Sequence, residues 1–527
     1  MRSSILKSLA TVSGLTMLSR ILGFGRQVLI AGVIGAGGNP VADAFWAAFR
    51  LPNLFRRLFA EGAFQSAFVP LFQGKLIKED QAAAKKFAEE VLAGLLFVLL
   101  ILTLIVELAA PLAVNLVASG FRDDPEKFEL TTIYLRIMFP YLACMSVVGL
   151  LSGILNSLDR FMAYAGAPLL LNICQIAALA YFASDGVEMT GLALSVATAV
   201  SGFLQLGLLV WAARRQGYFL NLSFPKWTPG VSRLMMLGMP GFISAAAVQI
   251  NIVIGTNIAS QQPGAVSWLM NADQLYQLPL AVIGIALGSV LLPLMSRRVK
   301  EGDEAGALSV VNRSLEMSSL LVLPAAAAFI IMPDAICDAL FRGIATEALS
   351  LFGGRQSAFT PEDVRMTAGA LALFGIGLPA FVWQKVFLPA FYSREDTRTP
   401  MKFALWAIVI NTVVALALFP AFGFFAVAFA TSLATWVQIA LLAFELHKRR
   451  QFQPDTRLFA RITRTIAATA VMAAAIIWAR GHESLLTDVL FGKSWLAVIA
   501  LVTGGGIVYG AALMALGGVR LSDYKAR

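Results

Sequence analysis

The residues best suited to chemistry in this sequence are guanidinium groups set in apolar surroundings. Residues 48–70 read AFRLPNLFRRLFAEGAFQSAFVP, long and apolar enough to lie in a bilayer, yet they carry Arg50, Arg56, Arg57 and Glu61. Trp46, Arg50, Asn53, Arg57 and Glu61 recur at three- and four-residue steps, and Asp43 lies seven before Arg50, so a helix here gathers them along one face. Arg56 is offset from that stripe, and Pro52 is placed to bend the helix beside it. Upstream, LSRILGFGRQ at 18–27 adds Arg20 and Arg26, with Gly23 and Gly25 as small neighbours.

A central arginine facing lipid costs about 2.5–3.5 kcal/mol, so these arginines together would cost on the order of 12–17 kcal/mol. Asp43 and Glu61 cannot neutralise them all. The first two helices are therefore expected to face a hydrated, positively charged cavity. A cavity of that sign calls for an anionic substrate, and forked guanidinium donors suit phosphate. The competing assignment has Arg56, Arg57 and Glu61 reaching the headgroup layer, which suits Arg57 with Glu61 as well as a cavity does. Arg20 and Arg26 sit deeper in an apolar run and fit an interior role better.

Other polar residues fall inside apolar segments. Lys385, after Trp383 and Gln384, is expected to line the cavity, and Asp273 to face it, since a carboxylate exposed to lipid would be costly. Arg136 suits an interfacial position. Asn172, Gln175, Gln249, Asn251, Asn257 and Asn411 suit hydrogen bonds between helices.

Enzymatic readings find little support. The two histidines, His447 and His482, fall in expected loops, which excludes histidine phosphotransfer and a His-rich metal site within the membrane. No GxxxxGK[ST] pattern occurs, and no loop cluster of acids suggests metal-dependent glycosyl transfer. Cys144, Cys174 and Cys337 lack any metal or disulfide spacing and read as inert apolar side chains. No catalytic residue, metal or cofactor is expected; the chemistry is that of a secondary transporter.

The elements that must carry these side chains are membrane helices. Of 527 residues, 58% are hydrophobic and 14% charged, against about 25% charged in soluble domains. Apolar runs continue from end to end, giving an all-α polytopic protein of about fourteen spans at about 20 residues each. They centre near residues 24, 56, 101, 142, 175, 200, 245, 282, 320, 376, 410, 434, 469 and 505. Lys and Arg concentrate in alternate loops, which places both termini in the cytoplasm and accounts for the net charge of +10 without a nucleic-acid partner. The start of the chain reads as a retained first helix, and residues 334–362 as an amphipathic interfacial segment.

A faint internal echo relates Ala42-Asp43, Leu51-Pro52 and Val69-Pro70 to Ala272-Asp273, Leu278-Pro279 and Leu292-Pro293. It suggests two lobes of about six spans each in parallel repeat. The expected division is 1–220, 221–450 and a remaining pair of helices in 451–527.

Several blocks closely resemble the MurJ (MviN) lipid II flippases of the multidrug/oligosaccharidyl-lipid/polysaccharide exporter superfamily. They are LSRILGFGRQ, ADAFWAAFRLPNLFRRLFAEGAFQSAFVP at 42–70, ILNSLDRF at 154–161, SVLLPLMS at 289–296 and FYSREDTRTP at 391–400. The resemblance implies two six-helix lobes around a central cationic cavity, with the last helices forming a groove for a polyprenyl tail. It also implies alternating-access transfer of the undecaprenyl-pyrophosphate-linked peptidoglycan precursor across the bacterial inner membrane. On that resemblance the cavity arginines fall on Arg20, Arg26 and Arg56, the outer acid on Asp43, and Ser19 and Glu61 match as well. Asn53 and Lys385 join the expected substrate contacts. Arg50, Arg57 and Asp273 join the expected charge-balancing or gating set.

Two departures stand out: Gln274 follows Ala-Asp where the family often has arginine, and Gln27 stands where some members have an acid. The seventh span, PGFISAAAVQINIVIGTNIAS, lacks the acid that serves a sodium site in some members. Expected partners are lipid II, membrane lipids and wall-synthesis enzymes. The alternatives are a sibling flippase for another polyprenyl-linked oligosaccharide and a non-transporting scaffold for wall synthesis; the arginine stripe argues against a cationic drug as substrate.

Overall fold

The computed structural model describes residues 2–59, 63–351, 356–482 and 493–518, and among them the regular structure is entirely helical. Eleven of these helices are long and apolar enough to cross a membrane. The expected segments near 56, 245 and 282 are also helical, but they carry more polar residues or proline. The chain forms two compact units, Met1–Ser267 with Ala348–Phe359, and Trp268–Glu347 with Thr360–Arg527.

The first unit begins with α1 (Arg2–Ile34) and α2 (Pro40–Phe59), which carry the arginines. Asn39 organises the corner between them. Its amide donates to the Ile34 carbonyl at 2.8 Å, and its oxygen accepts from the Val41 N–H at 3.0 Å, so it ties the end of one helix to the start of the next. Then follow α3 (Ala63–Lys78), α4 (Gln81–Leu108) and α5 (Ala110–Val117). The unit continues with α6 (Pro125–Met138), α7 (Pro140–Ser157), α8 (Met162–Phe182), α9 (Val187–Arg215) and α10 (Pro229–Ala259). Helix α1 packs on α8, α2 on α6, and α7 and α8 on α9.

Interhelical polar bonds bear out several of the amide assignments. The Gln175 amide donates to Thr198 Oγ1 at 2.7 Å, and the Asn257 amide to the Leu116 carbonyl at 3.1 Å. The short turn Ser119–Asp123 lies directly on the end of α10. The Gly120 N–H donates to Ser260 Oγ at 3.1 Å, and a Cβ on Gly120 would lie 2.3 Å from the Ser260 carbonyl oxygen. Only glycine permits this approach.

In the second unit α11 (Ala265–Lys300), whose first residues belong to the first unit, leads into α12 (Glu304–Ile331) and α13 (Pro333–Asp338). A π-helical segment Ala339–Ile344 and α14 (Ala345–Ser350), whose last residues belong to the first unit, cover part of the expected amphipathic stretch. The long helices α15 (Pro361–Tyr392), α16 (Arg398–Phe422), α17 (Phe425–Lys448), α18 (Thr456–Arg480) and α19 (Ser494–Ala515) complete the unit. Helix α15 packs against α12 and α17, and α18 against α12 and α19.

The loops at one end of the second unit are fastened by ion pairs. Asp396 accepts from the Thr399 N–H at 3.0 Å, the Thr399 hydroxyl at 2.7 Å and Arg449 Nη1 at 2.7 Å. Burial alone would push the Asp396 carboxyl up, but these donors outweigh it and hold the group at about 2, below its ordinary 3.8. A carboxyl whose folded value is depressed stabilises the fold above its unfolded value and loses that contribution as pH falls through the folded one. Acid titration of wild type and Asp396→Asn should therefore give stability curves that separate above about pH 4 and converge near pH 2. Parallel curves across that window would contradict the assignment.

Candidate functional site

Helix α1 presents Arg20 on an exposed face, while Arg26, nearly two turns on, is half-buried. The Arg26 Nε is buried and has no hydrogen-bond partner among the described residues. Ser19 contributes through its backbone, because the Asn172 amide of α8 donates to the Ser19 carbonyl at 2.9 Å. Asn172 is 5% exposed and also faces Gly23, where a Cβ would sit 3.5 Å from its oxygen. It thus fixes α1 along the stretch from Ser19 to Gly23, beside Arg20 and one turn before Arg26.

Along α2 burial falls from one end to the other. Asp43 and Trp46 are buried, whereas Arg50, Asn53, Arg56 and Arg57 are half-buried. Arg56 donates through Nε and Nη2 to Asn53 Oδ1, at 3.1 and 3.0 Å, a fork that fixes the guanidinium against its own helix. Asn53 orients Arg56 in this arrangement. Glu61, expected to balance this stripe, lies outside the described residues.

The buried end of α2 holds the most elaborate polar cluster of the unit. Asp43, fully buried, accepts from the Gly264 N–H at 2.7 Å, the Ser267 N–H at 3.0 Å and the Ser267 hydroxyl at 2.8 Å. The two backbone donors are amides at the start of α11, so Asp43 caps that helix from another one. Its negative charge also lies at the positive end of the helix dipole. Gly264 reaches the carboxylate with φ of +81°, a conformation that glycine adopts without strain. Lys127 completes the cluster, with Nζ 3.4 Å from Asp43 Oδ2.

The remaining expected residues belong to the second unit. Asp273 is half-buried on α11 and accepts from the Gln277 amide one turn on. Gln274 is half-buried beside it. Lys385 is exposed on α15 and makes no ion pair or hydrogen bond among the described residues. Asp43 and Asp273, matched in the sequence echo, thus occupy unlike settings: an interhelical cap for the first, a bond within one helix for the second.

Sequence reasoning missed Lys127, Gly264 and Ser267. Lys127 follows Asp124-Pro125, a readable helix start, and looks like an ordinary first-turn residue. Nothing near it in sequence signals an acid 84 residues away. The described residues contain no cluster of His, Cys, Asp or Glu able to hold a metal ion.

The family described as "Lipid II flippase MurJ" matches residues 30–491. A protein of Rhizobium meliloti (strain 1021) named "Probable lipid II flippase MurJ" is 43% identical over 524 residues, covering 98% of this chain and 95% of its own. A "Lipid II flippase MurJ" of Burkholderia cenocepacia is 32% identical over 480 residues, covering 90% of each chain. Among solved structures, one titled "Lipid II flippase MurJ, inward closed conformation" aligns with a TM-score of 0.75 at 22% identity, over 95% of this chain and 99% of that one. An inward-facing multidrug resistance MATE family transporter of the MOP superfamily aligns with a TM-score of 0.65 at 13% identity, over 83% of this chain and 97% of that one. The two structural likenesses establish the fold, and the full-length sequence matches establish the kinship: the chain belongs to the MurJ lipid II flippase family.

Proposed function

We propose that this protein is a lipid II flippase. It moves the undecaprenyl-pyrophosphate-linked peptidoglycan precursor from the cytoplasmic to the outer leaflet of a bacterial inner membrane, with both of its own termini in the cytoplasm. The observation that carries the substrate's chemistry is Arg26, a guanidinium within a membrane-length helix whose buried Nε has no partner among the described residues. A pyrophosphate supplies the missing acceptor, and Arg20 and the Asn53-oriented Arg56 supply further donors. Ser19 and Lys385 complete the contacts. Arg50, Arg57, Asp273, Gln274 and Glu61 take charge-balancing or gating roles.

In this mechanism the substrate's negative charge relieves repulsion among the arginines and favours the conformation that closes the inner side. A ligand moves such an equilibrium only by its differential affinity for the two states, so the arginines must hold the pyrophosphate more tightly in one of them.

The test is to deplete the protein in cells that lack a second flippase and to measure lipid II reachable by an externally added cleaving enzyme. Outer-leaflet lipid II should fall on depletion and return with the wild-type chain. An undiminished outer-leaflet pool would sink the substrate assignment, and a sibling polyprenyl-linked oligosaccharide would take its place.

A further inference from the structure

Lys127 is a rare side chain in this fold: a lysine 5% exposed, in the first turn of α6. Every contact around it is specific. Its ammonium lies 3.4 Å from Asp43 and 3.7 Å from Asp124, and 5.2 Å from the centre of the Phe121 ring. Its backbone is fixed too, since its N–H donates to Asp124 Oδ1 at 3.1 Å and its carbonyl accepts from Thr131 Oγ1 at 2.7 Å.

The same stretch of chain grips the turn between α10 and α11 from the other side. Ser119 Oγ lies 3.0 Å from Asn257 Oδ1, the Gln261 amide donates to Ser119 Oγ at 2.9 Å, and Gly120 donates to Ser260. Residues 119–127 therefore hold the end of α10 directly and the start of α11 through Asp43.

We propose that Lys127 is a positioning residue of the transport cycle, holding the Asp43 carboxylate against the first amides of α11 so that α2, α6 and the α10–α11 turn move as one latch. Asp43 has four donors to satisfy and one negative charge to place. The α11 amides alone would have to bear that charge in a dry setting if Lys127 were neutral. With Lys127 present the carboxylate is pinned between a cation and a helix N-terminus, and the bonds to Gly264 and Ser267 are held at full strength. Lys127 touches neither substrate nor any of the cavity arginines among its contacts given above. It reaches the α11 amides through Asp43.

Hydrogen exchange reads the latch directly, because two of its bonds are backbone amides. In full-length protein in lipid nanodiscs, Lys127→Met should speed exchange of Gly264 and Ser267 by about tenfold, while amides in the middle of α6 and α9 keep their wild-type protection. Lys127→Arg, which preserves the charge, should restore most of it. Added to Asp43→Asn, Lys127→Met should change the turn's exchange little further. That double variant buries neither charge, so it remains measurable should Lys127→Met alone not accumulate.

Unchanged protection of the turn in Lys127→Met, or a rise spread evenly over the first unit, overturns the proposal. So does an additive effect of Lys127→Met on the Asp43→Asn background. The transport consequence rests on the flippase reading above: at matched abundance, Lys127→Met should lower outer-leaflet lipid II several-fold and Lys127→Arg should not. Exchange is indifferent to the substrate, so an error in substrate identity leaves the latch result standing.

Discussion

Exchanging Arg20, Arg26 and Arg56 together for alanine is expected to abolish rescue of depleted cells while the protein accumulates normally in the membrane. A hydrogen bond to a charged group contributes about 1.5–3 kcal/mol, so losing three such donors should lower substrate affinity by at least about a thousandfold. Folding should not suffer in the same way. A guanidinium without a counter-charge is unfavourable in an apolar helix, so its removal should leave the thermal midpoint unchanged or raise it. That opposition between transport and stability separates a binding role from a structural one. Lysine at the same positions keeps the charge and loses the fork, and each exchange should cost about tenfold. Full transport by the alanine variant at wild-type abundance would leave the arginines without a role in binding and would favour the scaffold alternative.

Much of this was open to reading in the sequence because membrane helices announce themselves locally. A span needs only its own run of apolar residues, and the runs are visible whatever packs beside them. The same local logic located the stripe on α2, since a three- and four-residue repeat fixes which side chains share a face. It did not pair Asn53 with Arg56, which stands off that stripe, although the two are one turn apart and bonded.

What stayed hidden depends on separation along the chain. Asp43 meets Lys127 across 84 residues and the α11 amides across 221 and 224. A lone acid in the first turn of a helix looks the same whether it faces water, its own helix or another. The repeat-like echo between Asp43 and Asp273 invited equal treatment of the two. Yet Asp273 accepts from Gln277, one turn on in its own helix, whereas the Asp43 bonds described all reach residues at least 84 positions away. Asn172 was legible as an interhelical donor. That its acceptor is a backbone carbonyl at the arginine-bearing turn of α1 could not be read from its type.

Asp43→Asn should be the most destabilising single exchange in the first unit. Asparagine is the same size, so no cavity opens and the outcome is electrostatic. One oxygen remains to accept from the α11 amides, but the charge that faces the helix dipole and Lys127 is gone. Lys127 is then left buried against the Phe121 ring, with Asp124 3.7 Å away as its remaining anion among the ion pairs described. Removing one partner of a buried pair costs about 3–5 kcal/mol, and the retained acceptor places this case near the lower end. The expected result is a fall in thermal midpoint of several degrees in purified protein, with loss of outer-leaflet lipid II beyond what reduced abundance explains. Replacing both partners, as in Asp43→Leu with Lys127→Met, should recover much of the stability, because two well-packed apolar groups replace a buried pair at little net cost. Transport should stay lost in that variant, since the carboxylate cap on α11 is absent however stable the fold. Recovery of both together would mean that the pair serves stability alone.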